Sequence, residues 1–361
     1  MGNHSIILEL FGGICGFSKG LEDSGMKFSK IYYSEIDKTC IAVAKYNYGE
    51  KIETLGTVEN VCGLGITKPN IITFGSPCQG FSQGGNNGGI GDERSGLILK
   101  AIEVVKHYRP DLFIWENVRG VITRKHREDF WAVVRAFANI GGYRLEWQLV
   151  DTRWILPQHR ERIYLIGHLA GRSEPGVFPI CQSSKRIIKG EATATSSATI
   201  TGGGHSDGHH SEMTLLNIEG RINKSQDGKI NNRDSICQTL NAGHYNVPKI
   251  FTRPHGYFKG SITDHCPTIK TESTEHNMFV SKDYLLRRLT EIECERLQGF
   301  PDDWTKFGDY DGAIKPIIKT ARYRMLGNAV STVMTREIGL GIQSLNHSLS
   351  GAEKSFNKKN D

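Results

Sequence analysis

Ser5-Ile6-Ile7-Leu8-Glu9-Leu10-Phe11 is a short apolar run that ends in Gly12-Gly13-Ile14-Cys15-Gly16, and Phe17 to Ser24 then reads as the start of a helix. This is a strand, a glycine turn and a helix. The alternation returns downstream: Ile31 to Ser34 before Lys38 to Tyr48, Ile71 to Phe74 before Leu97 to His107, and Leu112 to Trp115 before Glu128 to Ile140. Short, near-continuous apolar strands between helices imply a parallel sheet covered on both faces. Tyr143 to Val150 and Arg162 to Gly167 read as two further strands, an antiparallel pair at one edge.

Around residue 176 the texture changes to Ser, Thr, Gly, Asn and His, and the helical period returns only near Tyr284. Similar short segments, Ser197 to Thr201, Cys237 to Asn241 and Cys266 to Lys270, suggest repeated strand-and-loop units there. The expected organisation is a large domain over 1–175, a smaller loop-rich, mainly β module over 176–280, and a return segment over 281–345. A polar, lysine-rich tail over 346–361 is expected to be disordered. A last helix is expected from about Val330 to Ser344.

At 361 residues, with 38% hydrophobic and 23% charged residues, the chain can bury a sizeable core and is not a wholly disordered one. No apolar run reaches the roughly 18 residues that span a bilayer, and Met1 to Leu10 lacks a basic segment followed by a long apolar one. A cytoplasmic protein without membrane contact is expected. None of the eight cysteines forms a C-x-x-C pair, which gives no support to zinc or a disulfide framework. Seven histidines fall between His205 and His276, but none has convincing ligand spacing beside a carboxylate, so no metal is expected. The net charge of +6 permits a polyanionic partner, and since no third of the chain is distinctly basic, folding must assemble any surface for it.

The turn after the first strand does not satisfy G-x-G-x-x-G, the spacing that lets a backbone approach a pyrophosphate. S-adenosylmethionine has no pyrophosphate, and Glu35, at the end of the second strand, can accept from ribose hydroxyls. Any doubly wound domain with a tight first turn fits equally well at this point. Gly75-Ser76-Pro77-Cys78-Gln79-Gly80-Phe81-Ser82 carries more information, because it places a thiol in a loop after a strand, with glycines from 84 to 89 that suit a mobile lid. A lone loop cysteine is usually inert, so Cys78 needs partners. Glu116-Asn117-Val118 follows the next strand in the same way, and in a parallel sheet both ends face one crevice. Gln158-His159-Arg160-Glu161-Arg162 leads into another strand. Taken singly, Glu116 could be a helix cap and the arginines solvated surface.

Together, Phe11-Gly12-Gly13, Pro77-Cys78-Gln79, Glu116-Asn117-Val118 and Gln158-x-Arg160-x-Arg162 resemble, in order, the motifs of the DNA cytosine-5 methyltransferases of bacterial or phage modification systems. Arg288 to Pro301, ending Glu295-Arg296-Leu297-Gln298-Gly299-Phe300-Pro301, resembles that family's ninth motif, and Gly327-Asn328-Ala329-Val330 its tenth. Matching segments run from Ile6 to about Gly339, leaving the 176–280 module and the tail unmatched.

The resemblance implies a doubly wound, Rossmann-like α/β domain dependent on S-adenosylmethionine, with 176–280 as a target-recognition domain. It implies methyl transfer to C5 of a cytosine flipped out of duplex DNA, in which Cys78 adds to C6. Glu116, carrying a proton at that moment, would meet N3 and the exocyclic amine, Arg162 would meet O2, and Arg160 would support the loop or a phosphate. The implied cofactor set is Phe11, Gly13, Gly16, Glu35, Ile36, Val58, Pro77, Leu97, Asn328 and Ala329. The implied partner is double-stranded DNA bearing a short cytosine-containing site, bound by a monomer that is nucleoid-associated when on DNA. A cognate restriction endonuclease is a candidate companion. One departure stands out: Gly56-Thr57-Val58 replaces the family's usual Gly-Asp-Ile, so the acceptor implied for the adenine amine is an uncharged threonine, with Glu59 a substitute. Two rival readings are a related enzyme acting on transfer RNA and a non-catalytic DNA-binding relative. Ser82 and the large insertion weigh against the first, and the intact Cys78, Glu116 and Arg162 against the second.

Overall fold

A computed structural model describes residues 5–76, 96–173, 175–180 and 289–357, with the backbone of seven short strands between 214 and 288. The first part of the chain gives β1 (Ser5–Leu10), α1 (Gly16–Asp23), β2 (Phe28–Ser34), α2 (Lys38–Tyr48), β3 (Ile52–Gly56) and β4 (Ile71–Gly75). It continues through α3 (Gly96–Tyr108), β5 (Leu112–Val118), α4 (Arg127–Ala138), β6 (Tyr143–Asp151), β7 (Gln158–His159) and β8 (Glu161–Leu169). Seven of these strands form one sheet in the order β3-β2-β1-β4-β5-β8-β6. The first five are parallel, while β8 runs antiparallel to both β5 and β6, as expected for the edge pair. The pattern reading passed over β3 because Glu53 and Thr54 are exposed on this edge strand and only Ile52 is buried.

Side chains alternate across the sheet, as strand geometry requires. Leu8, Leu10, Ile72, Phe74, Phe113 and Trp115 face α3 and α4, where they meet Ile98, Ala101, Phe130 and Phe137. Ile7, Tyr33, Ile71, Ile114 and Tyr164 face the other way. Phe113 stacks on Phe137 with centroids 4.7 Å apart. Gly167 makes room for that ring, since a Cβ there would lie 2.0 Å from it. Full burial of one such side chain contributes about 1.5–3 kcal/mol.

The last part of the chain completes this second face. Thr290 caps α5 (Glu291–Gln298) through a capping box with Glu293. The hairpin β16 (Phe307–Tyr310) and β17 (Ala313–Pro316) follows, then α6 (Lys319–Asn328) and α7 (Thr332–Asn357). Helix α7 lies along α1 because small residues line the seam: a Cβ on Gly20 would overlap Thr335 Oγ1 at 1.8 Å, and one on Gly339 would meet Ser24 Oγ at 2.3 Å. Met334, Ile338 and Ile342 pack there with Phe17 and Leu21. The two ends of the described chain therefore share one core.

Between 181 and 288 only strand backbone is described. β9 (Thr214–Leu216) pairs with β10 (Ile222–Lys224). β11 (Lys249–Thr252), β12 (Ser261–Thr263), β14 (Phe279–Lys282) and β15 (Leu285–Arg288) form an antiparallel sheet, and β13 (Cys266–Pro267) pairs with β7. Short strands agree with the mainly β expectation for the module. All seven of its histidines lie outside the described residues.

Three features lie near the ends of the expected ranges. Residues 176–180 are tied to β6: the Glu146 carboxylate accepts from the backbone N–H groups of Gly176, Val177 and Phe178, and Gln148 exchanges two hydrogen bonds with Ile180. Leu285–Arg288, in the expected return segment, pairs as β15 with β14. The last helix continues past Ser344 to Asn357, where Ala352, Glu353 and Lys354 are good helix formers, and residues 358–361 lie outside the described residues. Among the described residues no helix is long and apolar enough to cross a membrane.

Candidate active site and cofactor cradle

The turn between β1 and α1 is strained in a regular way. Phe11, Gly13 and Cys15 all have positive φ, at 52°, 52° and 62°. Two of the three are not glycine, a conformation that persists only where the surroundings fix it. The surroundings are visible: the Tyr33 ring lies under Gly12, where a Cβ would come within 2.4 Å, and the Tyr33 hydroxyl donates to the Gly13 carbonyl. Gly13 itself has nothing within 4 Å of where a Cβ would stand, so its backbone faces open space.

Glu35 borders that space. Its carboxylate accepts from the Gly13 N–H at 3.0 Å through Oε2, and from the Ile36 and Asp37 N–H groups at 2.8 and 3.0 Å through Oε1. A carboxylate has about four acceptor positions, so Oε2 keeps capacity for a hydroxyl. Beside it the Ile36 side chain is 75% exposed, an apolar surface without protein cover. Leu97 is half-buried at the start of α3. This cradle, with a fixed acceptor, an exposed apolar platform and open backbone, fits the ribose and adenine of S-adenosylmethionine.

Two residues implied for the cofactor also have packing roles in the protein. The Val58 side chain is buried with the α3 core. Gly16 is needed for packing, because a Cβ there would lie 2.6 Å from the Val330 carbonyl oxygen. Thr57 is half-buried and makes no side-chain capping bond to the turn after it. Thr57→Asp is expected to tighten S-adenosylmethionine binding about fivefold, the difference between a charged and a neutral acceptor. Calorimetric titration of both proteins checks this, and equal dissociation constants would count against an adenine contact at 57.

Glu9 was not singled out in the sequence, yet it anchors the same turn from below. It is 1% exposed and accepts from the N–H groups of Phe17 and Ser18 and from the Ser18 hydroxyl, closing the N-terminus of α1. Burial pushes its pKa from 4.5 up to about 7, against the pull of those donors. An acid with a raised folded-state pKa binds its proton more tightly when folded. Its contribution to stability is therefore full below about pH 4.5 and is lost as pH rises through about 7. Over that window the loss is at most about 3 kcal/mol. Glu9→Gln cannot ionise and should flatten this part of the stability profile in denaturant melts; an unchanged slope would contradict it.

The second half of the site lies at the carboxyl edge of β4, β5 and the start of β8. Glu116 and Asn117 belong to β5 itself, which runs to Val118 rather than ending at Trp115. Register places Gly75 beside Glu116 and Val118 opposite Arg162. Arg162 Nε lies 3.0 Å from Glu116 Oε1, with the side chains 14% and 10% exposed. Gly75 leaves room for the carboxylate, since a Cβ there would come within 3.2 Å of Oε2. Next to Gly75, the Ser76 hydroxyl accepts from Trp115 Nε1 at 3.1 Å and Asn117 Nδ2 at 3.2 Å, tying the end of β4 to β5. Pro77 and Cys78, with the glycine-rich stretch after them, lie outside the described residues.

Arg160 has a different task from Arg162. It is 3% exposed, and its guanidinium donates to the carbonyls of Gly327 and Ala329, the latter at 2.7 Å. It therefore supports the 327–330 turn rather than contacting the Glu116–Arg162 pair. Gln298 Nε2 holds the Leu326 carbonyl from the other side. The turn so fixed stands over Gly16, with Val330 against Gly75, and leaves Asn328 exposed while Ala329 is buried. Glu295 secures the return segment from below: fully buried, it accepts from the Asp303 and Thr305 N–H groups and from Arg322.

Of the four described thiols, Cys15, Cys40 and Cys294 are buried and Cys62 is partly buried against the α3 core, and burial pushes all four up, Cys294 to about 12. Asp151, His159 and Glu161 are the one group among the described residues with metal-ligand proximity. Arg153 and Arg119 already neutralise its carboxylates, at 2.6 and 2.7 Å.

The sequence profile of the C-5 cytosine-specific DNA methylases matches residues 6–344. Type II methyltransferase M.FnuDI of Fusobacterium nucleatum is 25% identical over 331 residues, which cover 90% of each chain. Orphan methyltransferase M.SPRI of Bacillus phage SPR is 32% identical over 164 residues, which cover 45% of this chain and only 37% of that one. Among solved structures, the Dnmt2 methyltransferase of S. pombe superposes with a TM-score of 0.58 at 18% identity, covering 95% of this chain and all of that one. A DNA modification methyltransferase encoded in an E. coli prophage gives 0.54 at 19% identity, covering 95% and 99%. At such identities the likeness shows the fold.

Proposed function

Because the chain belongs to the C-5 cytosine-specific DNA methylases and is thus a DNA (cytosine-5-)-methyltransferase, we propose that it modifies a flipped-out cytosine in a short duplex site through a covalent bond between Cys78 and C6. The observation that carries this reading is the Glu116–Arg162 pair, 3.0 Å apart and mostly buried, at the same sheet edge from which the Cys78 segment departs.

C5 of cytosine is a poor nucleophile within its aromatic ring. Attack of the Cys78 thiolate forms the S–C6 bond and moves the C5–C6 π pair toward C5, with negative charge developing on N3 and O2. Glu116 gives a proton to N3, and the Arg162 guanidinium stabilises O2 in a site with little water. S-adenosylmethionine, when bound, supplies an electrophilic methyl group. Glu35 holds its ribose, Ile36 and Leu97 its adenine side, and the Gly13 backbone with Asn328 its methionine end. Once C5 carries the methyl group, the N3 proton returns to Glu116, and removal of the C5 proton returns the pair to the ring and expels Cys78 as thiolate. The 176–280 module reads the bases flanking the target in the major groove.

The named relatives are Type II methyltransferases and phage orphans, which supports a role in restriction-modification or in phage DNA protection. Incubating the protein with methyl-labelled S-adenosylmethionine and either unmethylated genomic DNA or transfer RNA tests the reaction. Label should appear as 5-methylcytosine in DNA. Label confined to transfer RNA, or to another methylated base, would overturn the proposal.

A further inference from the structure

The loop that follows β5 is basic, rigidly held and placed beside the reacting pair. It reads Arg119-Gly120-Val121-Ile122-Thr123-Arg124-Lys125-His126-Arg127. It leaves the sheet immediately after Val118, whose register partner is Arg162. A run of charges is ordinarily a solvated surface, but this one is pinned from within. Residues Arg119–Ile122 form a turn, Val121 is 1% exposed in the α4 core, and Ile122 packs against the same core. The Thr123 hydroxyl donates to the Gly120 carbonyl at 2.7 Å, and the N–H of His126, itself buried, donates to the Thr123 carbonyl.

Two of the cations are already engaged: Arg119 with Glu161 at 2.7 Å, and Arg127 with Glu128 at 3.9 Å. Arg124 and Lys125 are exposed, and neither has a carboxylate partner among the described residues. Two exposed cations, without a carboxylate partner among the described residues, thus sit on the tied loop that leaves the sheet after Val118, two residues beyond Glu116. Resting on the reading of this chain as a DNA enzyme, we infer that Arg124 and Lys125 bind backbone phosphates of the duplex beside the target cytosine, independently of sequence. Such contacts orient a duplex without reading it. They leave base recognition to other parts of the chain.

Each phosphate neutralised lowers the slope of log affinity against log salt by about 0.9. Binding of a 40-base-pair mixed-sequence duplex (length chosen as roughly four helical turns) is measured between about 50 and 200 mM NaCl for the parent, Arg124→Ala/Lys125→Ala and Arg124→Lys/Lys125→Arg. The alanine variant should lose about two units of slope and bind unrelated duplexes more weakly by a common factor, whereas the charge-preserving swap keeps the parent's slope. Two results overturn the inference alone: a parental slope in the alanine variant, or an equal loss in the swap. Absence of salt-dependent duplex binding by the parent overturns the reading it rests on, and the inference with it.

Discussion

Cys78→Ser should abolish methyl transfer, by on the order of a thousandfold or more, while duplex DNA and S-adenosylmethionine still bind with parental affinity. A serine hydroxyl has almost no alkoxide at neutral pH, whereas a thiol near its own pKa supplies thiolate readily. The substitution changes one atom and neither charge nor volume appreciably, so binding should survive. The described thiols Cys15, Cys40, Cys62 and Cys294 are poor substitutes, because burial raises the pKa of each. Turnover by a verified Cys78→Ser protein would remove the covalent step from the mechanism.

Arg162→Ala should be nearly as damaging, for two separable reasons. It removes the cation that stabilises charge developing on O2, a loss of about 10²- to 10³-fold in kcat. It also leaves the Glu116 carboxylate mostly buried without its partner, at a cost in stability of roughly 3 kcal/mol. The double variant Glu116→Gln/Arg162→Met separates them, because no charge remains uncompensated. Its stability should recover toward that of the parent while activity stays lost. If activity returned with stability, the pair would be a structural brace and not part of the chemistry.

The fold was legible where periodicity and punctuation agree. The boundaries of α2 were read from residues alone, and the edge pair β6 and β8 appeared with its antiparallel sense. What the pattern could not show is mostly exposed or mostly polar. The edge strand β3 has one buried residue, and α7 runs on through a polar tail. Thr290-x-x-Glu293 and Asp311-Gly312 were available signals for the start of α5 and for the β16–β17 turn, and both went unread.

The site was legible in its types and less so in its division of labour. Motif order brought Glu116 and Arg162 to one edge, and Glu35 and Ile36 to another part of the crevice. Spacing alone does not distinguish Arg160 from Arg162, although the first braces two carbonyls and the second pairs with a carboxylate. Gly16 shows why a glycine is hard to assign from sequence: close approach demands glycine for any neighbour, and one such neighbour in the fold is Val330. Glu9 and Glu295 are buried carboxylates that hold turns through backbone N–H groups, and a lone acidic residue in a sequence carries no sign of that work.

The most direct test is to express the protein in a host lacking cytosine methylation and sequence its genomic DNA for 5-methylcytosine at single-base resolution, with Cys78→Ser alongside. 5-Methylcytosine confined to one short motif, and absent with Cys78→Ser, is the predicted result. Genomic DNA free of 5-methylcytosine, from cells holding folded protein that binds S-adenosylmethionine, would contradict it.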